Sequence, residues 1–218
     1  MHRRTLSWLS PFVLLVTLLG PVGSGAAEFE EGFDYQRITP ARPTQTGERI
    51  ELVELFWYRC PHCYRFDPVL ERWLASKSEH VQFLRIPAIA RSDWAFLARA
   101  YYTAESLDMV EQIHRPLFDA IHKEKREFRN RQSMQAFFGE HGISPDQYKR
   151  AWGSDVVLDK VERAQQLARQ YEISDVPTMI VNGKYRTSAV MAGGNRRLLE
   201  VVDYLVDKEE RGSKSEQD

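Results

Sequence analysis

The chain is nearly free of cysteine: two thiols serve 218 residues. That excludes a small disulfide-stapled scaffold. A chain of this length, 43% hydrophobic, can bury a core of its own. An excess of charge is missing too. Thirty basic residues stand against thirty-one acidic ones, for a formal net charge of −1, which argues against a protein that lives on phosphate contacts with nucleic acid. Internal repeats are absent, which excludes a solenoid. The one basic run, HKEKREFRNR at residues 122–131, interleaves Glu124 and Glu127 with its cations and reads as a solvated helix face or helix end.

The first residues have the pattern of an export signal. Arg3 and Arg4 form a positive start, residues 6–19 an apolar stretch and residues 20–27 a zone of small residues. Pro11 interrupts the apolar stretch and Pro21 ends it, so it is short for a membrane span. Cleavage near Ala26 or Ala27 would release a soluble exported protein, the alternative being an uncleaved anchor, and residues 1–26 are set aside as a signal peptide.

Against that background the placement of the two cysteines matters. Both lie in YRCPHCYRF, residues 58–66, with one proline and one histidine between them. A bond between Cys60 and Cys63 would close a tiny loop and constrain the unfolded chain very little, so it is nearly useless as a staple. Export to an oxidising compartment makes a redox pair the leading reading. A zinc site is the rival, since Cys60, His62 and Cys63 are all potential ligands. No second paired motif supports it, and His80, His114, His122 and His141 are scattered singly.

The surrounding pattern is that of an α/β protein. Residues 49–58 end apolar on both parities, as a strand buried on both faces does. Glu54 breaks the run and shares a face with Leu52, Phe56 and Tyr58, so it should point into apolar surroundings. Cys60 follows this strand and begins a helix whose stripe is Phe66, Leu70, Trp73 and Leu74. Pro61 suits its first position, and Pro68 should kink it. Residues 81–89 give the next strand, completing a right-handed βαβ unit. From residue 92 to about 152 the pattern is purely helical, and a long capped helix follows over residues 154–173. Residues 176–188 form a hairpin about Asn182–Gly183, the preferred type I′ turn. A terminal helix over residues 195–207 should give way to a frayed tail. The expected organisation is a first α/β part at 27–91, an inserted helical domain at 92–153, a second α/β part at 154–208 and a flexible tail at 209–218.

A cysteine at the start of a helix meets unpaired backbone donors and a partial positive charge, which favour its thiolate. Cys60 has that position. Cys63, one turn later, should be less exposed. His62 can add charge or a hydrogen bond to the Cys60 thiolate. A stabilised thiolate favours the dithiol and makes the disulfide a strong oxidant.

FWYRCPHCYRF together with VPTMIVNGKY resembles the DsbA family of periplasmic thiol:disulfide oxidoreductases, over about residues 28–207. The resemblance implies a thioredoxin-like fold with an inserted all-helical subdomain. It implies that Cys60 is the attacked sulfur, Cys63 its buried partner, and Pro61 and His62 the tuning dipeptide. Pro177 would be a cis-proline facing the disulfide, although a trans-proline at a strand start also fits the sequence. The Val176 backbone would pair with an extended substrate strand. Glu54 would match a buried acid that exchanges protons with Cys63, the alternative being a strand carboxylate that reaches solvent. Arg85 stands where a basic partner of that acid is expected, with its direction left open. The implied activity is disulfide donation to reduced or unfolded exported proteins by a monomer, with reoxidation by a DsbB-like quinone-linked membrane protein. The Cys60–Cys63 disulfide would be the only redox group, with no metal or organic cofactor. A reductase or isomerase on the same fold is the alternative.

Overall fold

A computed structural model describes residues 29–77 and 79–215. The expected export signal lies outside them. One five-stranded sheet, in the order β1-β5-β4-β2-β3, organises the molecule. Its strands are β1 (Gln36–Arg37), β2 (Ile50–Phe56), β3 (Val81–Pro87), β4 (Thr178–Val181) and β5 (Tyr185–Ser188). β2 and β3 run parallel, joined by helix α1 (Pro61–Leu74), and the other pairs are antiparallel.

All seven residues of β2 are buried, as its double-parity apolar pattern requires. Alternation then divides them. Ile50 and Leu52 pack under α1 and the terminal helix, with Phe66, Leu70, Leu198 and Val202. Val53 and Leu55 pack on the opposite face against Ala168 and Tyr171, at the end of a later helix. Phe56, at the carboxyl end of the strand, enters a third cluster that holds both cysteines.

That third cluster is built by the helices between β3 and the second half of the sheet. They are α2 (Ala95–Ser106), α3 (Val110–His122), α4 (Arg131–Glu140) and α5 (Pro145–Trp152), followed by α6 (Asp155–Gln170). Ser144 closes a capping box on α5, with Pro145 in its first turn, and Ser154 caps α6. Leu97, Ile113, Leu117, Phe118 and Phe138 of the inserted helices share one apolar cluster with Phe56, Tyr58, Cys60 and Cys63. The strand end and the insertion therefore have a common core.

Pro68 lies inside α1 without ending it. It has no N–H to give the Tyr64 carbonyl four residues back, and the Arg115 guanidinium of α3 donates to that oxygen instead, at 3.2 Å. The proline thus opens a contact point between α1 and the insertion.

Asn182 and Gly183 both adopt positive φ, 51° and 63°, as a type I′ turn requires. A Cβ at Gly183 would run into the Arg42 carbonyl oxygen, and the Gly183 carbonyl accepts from the Arg42 N–H at 2.9 Å.

The expected frayed tail from residue 209 needs correction. The terminal helix α7 runs over Asn195–Ser215. Its apolar stripe ends at Val206, but Glu209 then turns inward, 6% exposed. Its carboxylate accepts from the Asn182 side-chain amide at 2.6 Å and the Lys184 ammonium at 2.7 Å. A tertiary contact to the hairpin turn carries the helix on where hydrophobic periodicity stops.

Candidate active site

Cys60 is itself the N-cap of α1. Its backbone is extended (φ −79°, ψ 117°), and its Sγ accepts from the Cys63 N–H at 3.4 Å, with Pro61 in the first turn. Both cysteines are free thiols. The Cys60 Sγ also lies 3.3 Å from the Val176 carbonyl oxygen. Val176–Pro177 is a cis peptide bond, as is Thr39–Pro40, which had no sequence signal.

The environment separates the two sulfurs. Hydrogen bonding from the Cys63 thiol is the largest influence on Cys60. With the Cys63 and His62 backbone N–H groups and the His62 charge, it outweighs desolvation and lowers the Cys60 pKa to about 6. His62 thus contributes less than its neighbours; its ring stands 3.3 Å from the Arg65 guanidinium. Cys63 is fully buried. Desolvation first, then the Cys60 sulfur, push its thiol well above the usual range, and the charge of Glu54 adds to this.

Glu54 is 2% exposed and points inward, as its strand parity requires. It does not reach solvent, because Arg85 on the neighbouring strand donates to it at 2.8 Å. The same guanidinium bonds Glu71 at 2.8 Å and stands 3.6 Å from Asp67. Burial opposes the charge of Arg85, but three carboxylates around it hold the guanidinium more firmly protonated than usual. Three acids sharing one cation leave Glu54 short of compensation. Desolvation, with the charges of Asp67 and Glu71, raises its carboxyl despite Arg85.

Asp67 extends this network into the insertion. His114 of α3 lies between the Tyr58 hydroxyl, 2.9 Å from Nδ1, and Asp67 Oδ1, 3.1 Å from Nε2. Burial first of all lowers the His114 pKa to about 4, so the ring is neutral at pH 7. A carboxylate can only accept, so Nε2–H donates to Asp67 and Nδ1 accepts from Tyr58. Burial opposes the charge of Asp67, but His114, Arg85 and Arg115 together hold its carboxyl below the ordinary range. On the backbone side, His122 lies 2.8 Å from the Tyr58 carbonyl and stacks on Tyr64 at 4.6 Å between centroids. Trp57 stacks on Trp94, 4.2 Å apart and 6° from parallel. The turn into Cys60 is therefore held by the inserted helices at each of its residues from 56 to 58.

Residues 51–206 match the family model described as the DSBA-like thioredoxin domain. The chain belongs to this DsbA-like family. It is 34% identical to the thiol:disulfide interchange protein DsbA of Pseudomonas syringae pv. tomato, over 95% of this chain and 97% of that one. It is 36% identical to the protein of the same name from Azotobacter vinelandii, over 88% of this chain and 96% of the relative. The crystal structure of Pseudomonas aeruginosa DsbA superposes with a TM-score of 0.82 at 34% identity, covering 85% of this chain and 97% of that one. The fold is the thioredoxin-like fold of this DsbA-like family with its helical insertion.

Within this DsbA-like chain the structure brings together Cys60, Pro61, His62, Cys63, Val176 and Pro177. It places Glu54 below them, joined to Arg85. Sequence reasoning missed Asp67, His114 and Arg115. One signal was available: Asp67 lies four residues after Cys63 and three before Leu70, on the inward stripe of α1, where an acid needs a buried partner. The partner sits 47 residues further on, and nothing in sequence spacing points to it. Among the described residues no group of three or more His, Cys, Asp or Glu side chains could hold a metal ion. Among the same residues no helix is long and apolar enough to cross a membrane.

Proposed function

We propose that this protein oxidises thiol pairs in reduced, exported proteins by giving up a Cys60–Cys63 disulfide. The observation that carries the reading is the contrast between the two sulfurs, with Cys60 at about 6 and Cys63 pushed far upward. A substrate thiolate attacks Cys60 Sγ and forms a mixed disulfide. The Cys60–Cys63 bond breaks, and Cys63 leaves and takes up a proton. A second substrate thiolate then attacks the substrate sulfur of the mixed disulfide, and Cys60 departs as a thiolate. The substrate loses two electrons and two protons, and the protein gains the electrons.

Each nearby group has a part in this scheme. Pro61 starts the helix whose backbone donors face Cys60, and His62 adds to the stabilisation of the thiolate. Glu54, with its raised carboxyl, exchanges a proton with Cys63 during cleavage. Val176 sets its backbone carbonyl beside Cys60, next to Pro177, where an extended substrate strand can pair. The cycle needs no metal or organic cofactor. A DsbB-like quinone-linked membrane protein restores the disulfide. The protein works as a monomer in the periplasm after loss of residues 1–26, with residues 92–153 as an inserted helical domain.

Equilibration of the mature protein with glutathione tests the direction of transfer. A reduction potential well above the roughly −270 mV of thioredoxin supports an oxidant. A value at or below that level would identify a reductase and turn the search toward an electron donor.

A further inference from the structure

The basic run at residues 122–131 reads from sequence as a solvated helix end, but the fold carries it to the active site. Arg59, immediately before Cys60, donates to the Phe128 carbonyl at 3.2 Å. His122 holds the Tyr58 carbonyl, and the Lys125 ammonium returns to the His122 carbonyl at 2.6 Å. Burial lowers the His122 pKa first, and the charges of Lys125, Arg115 and Arg65 lower it further, so all three cations bear on one ring. Arg65 lies one turn along α1 from His62 and reaches its ring.

The acids on this side are already taken. Asp119 binds Arg115 at 3.0 Å and Lys123 at 2.9 Å, and it also accepts from the Tyr64 hydroxyl. Glu124 stands 3.8 Å from Arg126, and Glu127 pairs with Arg129. Arg59, Arg65 and Lys125 are exposed and have no carboxylate partner among the described residues. A protein with a net charge of −1 thus gathers three cations without a carboxylate partner around the segment from Tyr58 to Arg65 that carries its reactive sulfur.

We propose that Arg59, Arg65 and Lys125 form a docking rim for acidic residues flanking the reactive cysteine of a reduced protein substrate. The proposal rests on the oxidase reading and gives its substrates a charge. The substrate backbone runs beside Val176, and its side chains on the other side of Cys60 meet the rim. Exposed cations of this kind act mainly on the encounter rate, and salt screens them. The location favours a peptide over an anionic membrane, because the rim begins at the residue next to Cys60, where the incoming chain must pass.

The test uses the oxidised, full mature chain and three dithiol peptides that differ only in acidic, neutral or basic flanks. The expected result is oxidation of the acidic peptide about tenfold faster than the neutral one at an ionic strength of about 0.01 M, where the Debye length is about 30 Å. Raising salt to about 1 M brings the ratio close to one. The double variant Arg59→Gln, Lys125→Gln reduces it to about threefold or less, whereas Arg59→Lys with Lys125→Arg restores it. Arg72→Gln, about 18 Å along α1 from Cys60, keeps the wild-type ratio.

Equal rates for all three peptides at low salt, or a preference that survives the double variant, would overturn the proposal. So would binding to anionic phosphatidylglycerol vesicles without any peptide preference, which would assign the rim to a membrane. If none of the peptides is oxidised, the oxidase reading itself falls, and that outcome is distinct from equal oxidation of all three.

Discussion

The Cys60 sulfur and the Val176 carbonyl oxygen lie 3.3 Å apart, although 116 residues separate them in the chain. That contact brings the start of α1 against the backbone two residues before β4, at the Val176–Pro177 bond. An incoming strand that paired there would carry its own sulfur toward Cys60. Cys63 lies beneath, with no exposed surface.

The first prediction follows from this arrangement. Cys60→Ser should abolish oxidation of a dithiol peptide, because Cys63 is closed to attack. Cys63→Ser should leave Cys60 reactive and trap mixed disulfides with substrate thiols, visible by non-reducing electrophoresis and mass spectrometry. Normal turnover by the Cys60→Ser protein would reverse the assigned roles.

The pKa contrast gives a pH profile. Alkylation of the reduced protein by iodoacetamide should titrate with a midpoint near 6, and about nine-tenths of Cys60 should be thiolate at pH 7. The folded pKa lies below the reference value of 9.0, so between pH 6 and 9 the unfolded chain binds more protons. The reduced protein therefore gains stability as pH rises through that window and loses it as pH falls through 6. Cys60→Ser should remove this slope in urea titrations. A midpoint near 9 for alkylation would contradict the hydrogen-bonded geometry.

Arg85 and Glu54 should respond unequally to removal. Arg85→Met leaves the carboxylates of Glu54 and Asp67 buried without their shared cation and should cost about 3–5 kcal/mol. Glu54→Gln leaves Arg85 with Glu71 and Asp67, so its cost should be clearly smaller. Equilibrium unfolding of both variants in urea decides it. Equal losses would mean that Arg85 serves Glu54 alone.

The last turns of α7 give a test remote from the cysteines. Glu209→Ala removes the acceptor shared by Asn182 and Lys184 and should cost about 1–3 kcal/mol. Hydrogen exchange should rise both at the hairpin turn and in the helix beyond Val206. An unchanged unfolding midpoint would restore the picture of a loose tail.

Much of this could be read from residue order, because the relevant signals are local. The buried strand, Pro61 at the helix start, the cap of the helix from residue 154 and the Asn182–Gly183 turn all act within a few residues of themselves. Glu54 was legible for the same reason, since strand parity alone turns it inward. Its pairing with Arg85 was open, because facing residues on adjacent strands share a side only when the register is known. Glu54 and Arg85 prove to be register partners.

Asp67 and His114 mark the other limit. Each looks ordinary in sequence, and they meet because α3 lies across α1 where Pro68 has freed the Tyr64 carbonyl for Arg115. Similarly, the basic run after α3 reads as a solvated end until Arg59 is found bound to Phe128. By itself, the amino-acid order determined the strands, the caps, the turn and the paired cysteines at a helix start. Those features depend on backbone sterics and on the period of apolar residues. Only the tertiary structure decided which charges share Arg85, which histidine holds Tyr58 and which carbonyl Arg59 meets. Those contacts join segments tens of residues apart, and their energies depend on distance and burial that no local pattern encodes.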